Sequence, residues 1–183
     1  MIMCGGAGAT NGFWSSRQRY VEYMTTKVTL RTAQAADAET LAAISQRAFD
    51  SDVEVGAPDP GGPPGYDEPQ WQQQMMRTSD YHALCVDGCV IGGAIVCETG
   101  PGERELQRLF IDPVWHGCGI GLQAMALLME HYPHSGRWTL DTPAWNPRTR
   151  GFYERLGFVE YGRRMVGDGF ELVLFEKPDA AGR

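Results

Sequence analysis

The sequence has no apolar run close to the roughly 20 residues that a membrane-spanning helix needs. Its 183 residues include 16 Lys and Arg against 23 Asp and Glu, which gives a formal net charge of −7. Because nucleic-acid-binding surfaces need clustered positive charge, this balance argues against a nucleic-acid partner. The N-terminus also lacks the basic start and apolar core of a secretion signal, so a cytoplasmic location is expected by default.

Cysteine is sparse, and the five residues are odd in number and scattered, which fits reduced thiols better than a disulfide framework. His82, Cys85 and Cys89 superficially resemble a metal site. However, Asp87-Gly88 between the two cysteines is a hairpin turn signal, and no second Cys/His pair follows at zinc-finger spacing. We therefore expect no bound metal.

The length fits one domain with a proper core. We expect a flexible leader over residues 1–26, a folded domain over 27–178 and a short tail over 179–183. Eight of the ten residues in "GAPDPGGPPG" are Gly or Pro, so this stretch is predicted to be a loop. The predicted order is β-α-α-β-β-β-α-β-α-β-β, an antiparallel meander followed by a βαβ unit, and the fold class is a mixed α/β sheet.

Three glycines, Gly117, Gly119 and Gly121, alternate where a strand leads into a helix. Bare backbone at a helix N-terminus favours an anion such as phosphate. A P-loop is excluded because Leu122, not Lys, follows the last glycine. A dinucleotide-binding fingerprint is disfavoured because the spacing is G-x-G-x-G and the loop follows a meander instead of opening the domain.

The loop "HGCGIG", with "LFIDP" before it and "NPRTRGFYERLGF" after it, resembles the motifs of the GNAT superfamily of N-acetyltransferases. His116 departs from the pattern, since Gln or Arg is usual there. The resemblance covers about residues 27–177. It implies a GNAT-like fold with splayed central strands, and direct acetyl transfer from acetyl-CoA to a small-molecule or peptide amine in a ternary complex. Dimers are common in this superfamily, so a homodimer is one expected state.

The resemblance also implies which residues contact acetyl-CoA. The strand residues would pair with the pantetheine arm, the glycine loop would hold the pyrophosphate, and Arg148 or Arg150 would reach the adenosine 3′-phosphate. The implied set is Leu109, Phe110, Ile111, His116, Gly117, Cys118, Gly119, Ile120, Gly121, Leu122, Asn146, Arg148, Phe152 and Tyr153. Asn146 is also expected to cap the following helix.

Catalysis would need an acid and a base. Tyr153 stands where this family usually places the phenol that protonates the departing thiolate. An alkyl amine with a pKa of about 10.4 is almost entirely protonated at neutral pH, so a carboxylate base would help. Glu105 is the preferred candidate, because strand alternation puts it on the same face as Ile111, and Asp141 is the second. Each of the three has a structural alternative, as a packing aromatic or a surface carboxylate.

The acceptor is left open by the sequence. Six acidic residues between the first two helices would favour a cationic acceptor, although an acidic solvated loop explains them equally well: Asp50, Asp52, Glu54, Asp59, Asp67 and Glu68. Trp71, Trp138 and Trp145 could line an acceptor cleft, with core packing the safer expectation for Trp138.

Three rival interpretations remain. The chain could be a CoA-binding sensor or subunit without turnover, or a nicotinamide-dependent oxidoreductase, which glycine spacing and strand order disfavour. Cys118, at a helix N-terminus, could act as a nucleophile, but no base and orienting group can be assigned to it.

Overall fold

The computed structural model describes residues 26–167 and 169–178. Apart from residue 26, the expected leader and tail lie outside this part of the chain. The described strands are β1 (Val28–Thr32), β2 (Asp80–Val86), β3 (Cys89–Gly100), β4 (Glu103–Ile111), β5 (Arg137–Pro143), β6 (Val159–Val166) and β7 (Phe170–Pro178). The α-helices are α1 (Ala38–Asp50), α2 (Pro69–Thr78), α3 (Ile120–His131) and α4 (Pro147–Arg155). This is the predicted order of elements.

The seven described strands form one mixed sheet, as the sequence predicts, and their order in it is β1-β2-β3-β4-β5-β7-β6. The first four strands are an antiparallel meander. β5 lies parallel to β4, because α3 carries the chain back across the sheet. The predicted hairpin turn between β2 and β3 has positive φ angles at both Asp87 (+50°) and Gly88 (+79°), as a type I′ turn requires.

The centre of the sheet is splayed. β4 and β5 pair over only three residues each, 103–105 with 137–139. β4 then continues to Ile111, paired with β3 alone, and β5 continues to Pro143, paired with β7. The expected gap between the central strands is therefore present, on the side where β4 leads into α3.

Helices cover both faces of the sheet. α1 packs on the face that carries Tyr81 and Phe110, with Leu41 at the centre of that contact. α3 packs on the opposite face, where Leu128 and Phe175 are fully buried. The two layers hold β4 between them, so its alternate side chains face different helices.

A β-bulge in β4 changes which side chains share a face. Arg108 pairs with Ile95 and Leu106 with Val96, which leaves Gln107 as an extra residue. Leu106 and Ile111 consequently both belong to the clusters on the α3 side although they are five residues apart.

The predicted placement of Glu105 on the same face as Ile111 is therefore wrong. Because Glu105 directly precedes Leu106, it points to the opposite face, the face of Phe110 and α1. Simple alternation fails here because the extra residue, Gln107, shifts the pleat by one position.

Within residues 26–167 and 169–178, no helix is both long and apolar enough to cross a membrane. The same residues contain no group of three or more His, Cys, Asp and Glu side chains arranged to hold a metal ion. His82 contacts Tyr132 at the end of α3, whereas Cys85 packs in the cluster with α1, so these two side chains lie on opposite faces of β2.

Candidate active site

A cavity of about 500 Å³ lies where β4 ends, between the N-terminus of α3, helix α4 and the segment that follows α1. Twelve of the fourteen residues predicted to contact acetyl-CoA line it: Leu109, Phe110, Ile111, His116, Gly117, Gly119, Ile120, Gly121, Leu122, Arg148, Phe152 and Tyr153. Cys118 and Asn146 do not. The lining also includes Ala48, Phe49, Asp52, Trp115, Thr149 and Arg155.

The glycine segment opens the backbone at the start of α3. Gly117 and Gly119 have φ angles of +74° and +77°, in the left-handed region that favours glycine. Gly119 is the N-cap residue of α3, and no side chain caps the helix there. The first amides of α3, at Gly119 to Leu122, therefore have no intrahelical acceptor and carry the positive end of the helix dipole. A Cβ at either left-handed glycine would meet nothing within 4 Å, so the cradle is open.

The unusual His116 fixes this segment to the strand before it. Its Nε2 donates to the carbonyl oxygen of Ile111 at 2.9 Å. Burial lowers the pKa of His116 and so favours the neutral ring, while the hydrogen bond to Ile111 opposes that effect. Burial also raises the pKa of the Cys118 thiol, so Cys118 is a poor thiolate and the covalent alternative loses support.

Two polar groups near the cavity form no hydrogen bond of normal geometry through one of their atoms. Asn146 caps α4 through its Oδ1, which accepts from the Thr149 amide at 3.1 Å, as predicted. Its buried Nδ2 has no hydrogen bond of normal geometry to a described residue. The hydroxyl of Tyr153 likewise forms no hydrogen bond to a described residue, and burial, more than the nearby charge of Asp141, raises its pKa. Tyr153 belongs to the cavity lining, whereas Asn146 is fully buried and does not.

Positive charge at the cavity comes from Arg148 and Arg155 of α4, and Arg150 does not line it. Arg148 and Arg155 are seven residues apart and so lie on one helix face, a spacing that could have found Arg155 from the sequence. Arg148 is already paired, since its Nη2 lies 2.6 Å from Asp52 Oδ1. Burial raises the pKa of Asp52, although Arg148 and Asn146 oppose that effect.

Comparison with known proteins identifies the family. A model of the acetyltransferase (GNAT) family matches residues 44–158, more than half of the chain. The chain belongs to the GNAT acetyltransferase family. This match includes the glycine segment, the splayed strands and α4. Acetyl-CoA is the acetyl donor of this family, and the amides at the uncapped start of α3 fit the phosphates of such a molecule.

Solved GNAT structures share the fold at low sequence identity. The PaiA N-acetyltransferase of Thermoplasma acidophilum, in complex with coenzyme A, matches with a TM-score of 0.66 and 16% identity over 83% of this chain and 99% of that one. The ribosomal-protein-S18-alanine N-acetyltransferase of Escherichia coli matches with a TM-score of 0.62 and 19% identity over 86% and 97%.

One sequence relative is the Uncharacterized protein YrkN of Bacillus subtilis (strain 168), which is 34% identical over 80 residues. The aligned part is 43% of this chain and 43% of that protein, so the match spans less than half the length of the relative.

The two carboxylates predicted as GNAT bases lie outside the cavity lining. Glu105 sits on the Phe110 face at the last paired position of β4, opposite Thr139 of β5. It forms no ion pair with a described residue. Asp141 lies two residues beyond Thr139 on β5, and its Oδ2 accepts a hydrogen bond from Arg164 Nη2 at 2.8 Å. The gap thus has one unpaired and one paired carboxylate beside it.

The acidic segment after α1 is partly used within the protein. Asp50 accepts a hydrogen bond from the Tyr66 hydroxyl at 3.1 Å, and Asp52 pairs with Arg148. Trp138 is buried in the core, as expected, whereas the ring of Trp71 stacks on the guanidinium of Arg108. Sequence reasoning did not single out Arg108.

Proposed function

We propose that this GNAT protein is a cytoplasmic N-acetyltransferase that transfers the acetyl group of acetyl-CoA directly to a primary amine while both substrates are bound. The observation that carries the proposal is the coincidence of three features at one cavity. These are the open edge of β4, the uncapped N-terminus of α3 and the partner-free hydroxyl of Tyr153.

Different groups of the chain would bind different parts of CoA. The backbone of Leu109 to Ile111 has no strand partner towards β5 and would pair with the pantetheine arm. The amides at the start of α3 would bind the pyrophosphate, since they combine unpaired N–H donors with the helix dipole. Asn146 Nδ2 would donate to the arm, and Arg155 would meet a phosphate. When bound, acetyl-CoA supplies an activated thioester.

Tyr153 would act as the general acid. In the transfer, a C–N bond to the amine forms, the C–S bond breaks, and the sulfur needs a proton. A phenol is protonated at neutral pH, and burial raises the pKa of Tyr153 further, so the proton is present when the thiolate departs. The hydroxyl has no competing acceptor among the described residues.

Glu105 would receive the proton that the amine must lose. Neutral amine is scarce at pH 7, about one part in 2,500 for a pKa of about 10.4, so a base near the gap raises the reactive fraction. Glu105 is preferred to Asp141 because the latter is held by Arg164. Because Glu105 does not line the cavity, it would act through a water molecule.

Calorimetric titration with acetyl-CoA, CoA and NADH tests the donor site. Gly119→Glu puts a carboxylate at the pyrophosphate position and should abolish CoA binding. Gly119→Ala is the matched control: it carries the same left-handed strain, of about 1 kcal/mol, without the charge, and should still bind. An amine panel assayed for release of the CoA thiol then tests turnover.

Binding of NADH without CoA would overturn the proposal. Saturable CoA binding with no turnover on any amine would instead favour the sensor or subunit without catalysis. Equal loss of CoA binding in both Gly119 variants would mean that backbone strain, not the anion site, is responsible.

A further inference from the structure

Arg108 is a half-buried arginine with no carboxylate partner among the described residues. It projects from the α1 face of β4, and its guanidinium carbon lies 3.8 Å from the ring centroid of Trp71 on α2. Its Nη2 donates to the carbonyl oxygen of Pro64 at 2.7 Å. Its Nη1 is buried and has no hydrogen-bond partner among the described residues.

No described carboxylate lies within 4.0 Å of this guanidinium, whereas seven other arginines do have one: Arg31, Arg47, Arg104, Arg137, Arg148, Arg163 and Arg164. Removing a charge from water without a partner is costly, and so is leaving a buried donor unmatched. Burial lowers the pKa of Arg108 to about 10, which still leaves it protonated at neutral pH. Among the described residues the partners of this positive charge are thus an aromatic ring and a carbonyl oxygen, with no carboxylate in contact.

Packing alone does not explain an arginine at this position. An uncharged side chain of similar length would also cover Trp71 and would avoid the cost of desolvation, although it would lose the cation–π attraction to the ring. The Pro64 carbonyl is a neutral acceptor that uses one of the five donors of the guanidinium. A planar fork with free donors suits a carboxylate, which it can bind through two parallel hydrogen bonds.

Arg108 is also close to the proposed chemistry. Phe110, two residues further along the same face of β4, lines the cavity, and two strand residues span about 7 Å. Glu105, the proposed base, shares that face on the other side of the bulge. An acceptor whose amine approaches the gap between β4 and β5 therefore has its remaining atoms within reach of Arg108.

We propose that Arg108 binds a carboxylate of the acceptor, and that the acceptor is an amino acid or a similar small amine that carries an acid group. This deepens the proposed N-acetyltransferase function and rests on it. The carboxylate would reach the guanidinium from the side of the Gly/Pro-rich loop and replace the Pro64 carbonyl, exchanging a neutral acceptor for a charged one. Of the six acids that would favour a purely cationic acceptor, Asp50 and Asp52 are engaged within the chain.

The test compares each standard amino acid with its own methyl ester as acceptor, at fixed acetyl-CoA. For the preferred amino acid, kcat/KM should exceed that of the ester by about 10- to 100-fold. Esterification lowers the pKa of the amine, so a larger fraction of the ester's amine is neutral and reactive. This effect alone would favour the ester, which is the opposite of the expected result. Arg108→Gln should remove the preference mainly through KM for the acid, and Arg108→Lys should restore part of it.

Matched controls separate this role from a structural one. Arg77→Gln on the exposed face of α2 removes the same charge and should keep the acid preference. If Arg108 only fixes the Pro64 loop, its variants will lower kcat/KM for acid and ester alike. That result would overturn the proposal, as would equal turnover of acids and esters by the wild type.

A binding experiment keeps the inference independent of turnover. Calorimetric titration of the CoA-bound protein with the same acids and esters should show binding of an acid that its ester lacks and that Arg108→Gln loses. If no amine is acetylated but this difference persists, the transferase proposal fails while the assignment of Arg108 stands. Absence of any acid-specific binding overturns the assignment itself. Titration with CoA alone should be unchanged in Arg108→Gln.

Discussion

The guanidinium of Arg148 and the carboxylate of Asp52 meet inside the candidate CoA cavity, with Nη2 2.6 Å from Oδ1. Their pair links the first turn of α4 to the segment after α1. Both side chains line the cavity, so a phosphate bound there would compete with Asp52 for Arg148. The carboxylate of Asp52 thus occupies Arg148 in the described structure, and a phosphate would have to displace it.

Replacement of Asp52 by Asn should tighten CoA binding. Loss of the carboxylate frees Arg148 and removes a negative charge from the cavity, and an ion pair of this kind is worth enough to give about a two- to fivefold change in Kd. Calorimetry at low and moderate salt measures it, and the gain should shrink as salt rises. Arg148→Gln should weaken binding in both backgrounds. If neither single variant changes Kd, Arg148 does not contact CoA.

Replacement of Tyr153 by Phe should lower kcat about 100-fold or more while Kd for CoA stays the same. The hydroxyl has no hydrogen-bond partner among the described residues, so its removal leaves no group unpaired and the free energy of unfolding should change little. Steady-state rates and calorimetry measure the two effects. Tyr161→Phe, at an exposed tyrosine of β6, is the control. A variant that keeps most of the wild-type kcat would mean that the thiolate is protonated by another group.

Asn146 should have two separable roles. Asn146→Ala removes the helix cap and should cost about 1 kcal/mol in the free energy of unfolding. Asn146→Ser keeps a capping oxygen but lacks the amide Nδ2, so stability should recover while CoA binding stays weak. Urea unfolding and calorimetry on both variants give the comparison. Full recovery of CoA binding in the Ser variant would show that Asn146 acts only as a cap.

His82 should make stability fall on the acid side of neutrality. Its ring is buried, its Nε2 lies 2.7 Å from the Tyr132 hydroxyl, and that hydroxyl donates to Asp80 at 3.1 Å. Burial, followed by the charge of His131, lowers the pKa of His82. The neutral ring therefore stabilises the fold fully above the unfolded pKa of about 6.5, and this contribution is lost as the pH falls below it.

The measurement is the free energy of unfolding between pH 7 and pH 5. His82→Gln should make the free energy of unfolding fall less steeply between pH 7 and pH 5, because glutamine, unlike histidine, binds no proton in the unfolded state. His134→Gln, at an exposed histidine, should leave the decline unchanged. An identical slope in wild type and His82→Gln would assign the pH dependence to other groups.

The regular elements could be predicted because their signals are local. Asp87-Gly88 indicates the β2–β3 turn. Asn146-Pro147 indicates the start of α4, and Gly157 indicates its end. The glycine segment likewise marks the start of α3. Each of these depends on backbone conformations that few residue types adopt, so a short stretch of sequence is enough to indicate them.

The side-chain neighbours could not be predicted in the same way. The bulge at Gln107 turns Glu105 to the other face, and nothing in "ERELQRLFI" marks the extra residue. The Arg148–Asp52 pair and the stacking of Arg108 on Trp71 join residues that are far apart in the chain. Such contacts depend on how separate elements pack, which hydrophobic pattern alone does not specify.

The short pairing of β4 with β5 also has a consequence for how the protein opens. Only three residues of each strand join the two halves of the sheet, so these halves are expected to unfold locally as separate cooperative units, held together mainly by α3 and α4. A molecule that fills the gap would bridge the halves. When such a molecule is bound, backbone amides of β2 and β7 should exchange hydrogen more slowly than in the free protein, although the molecule does not contact these strands.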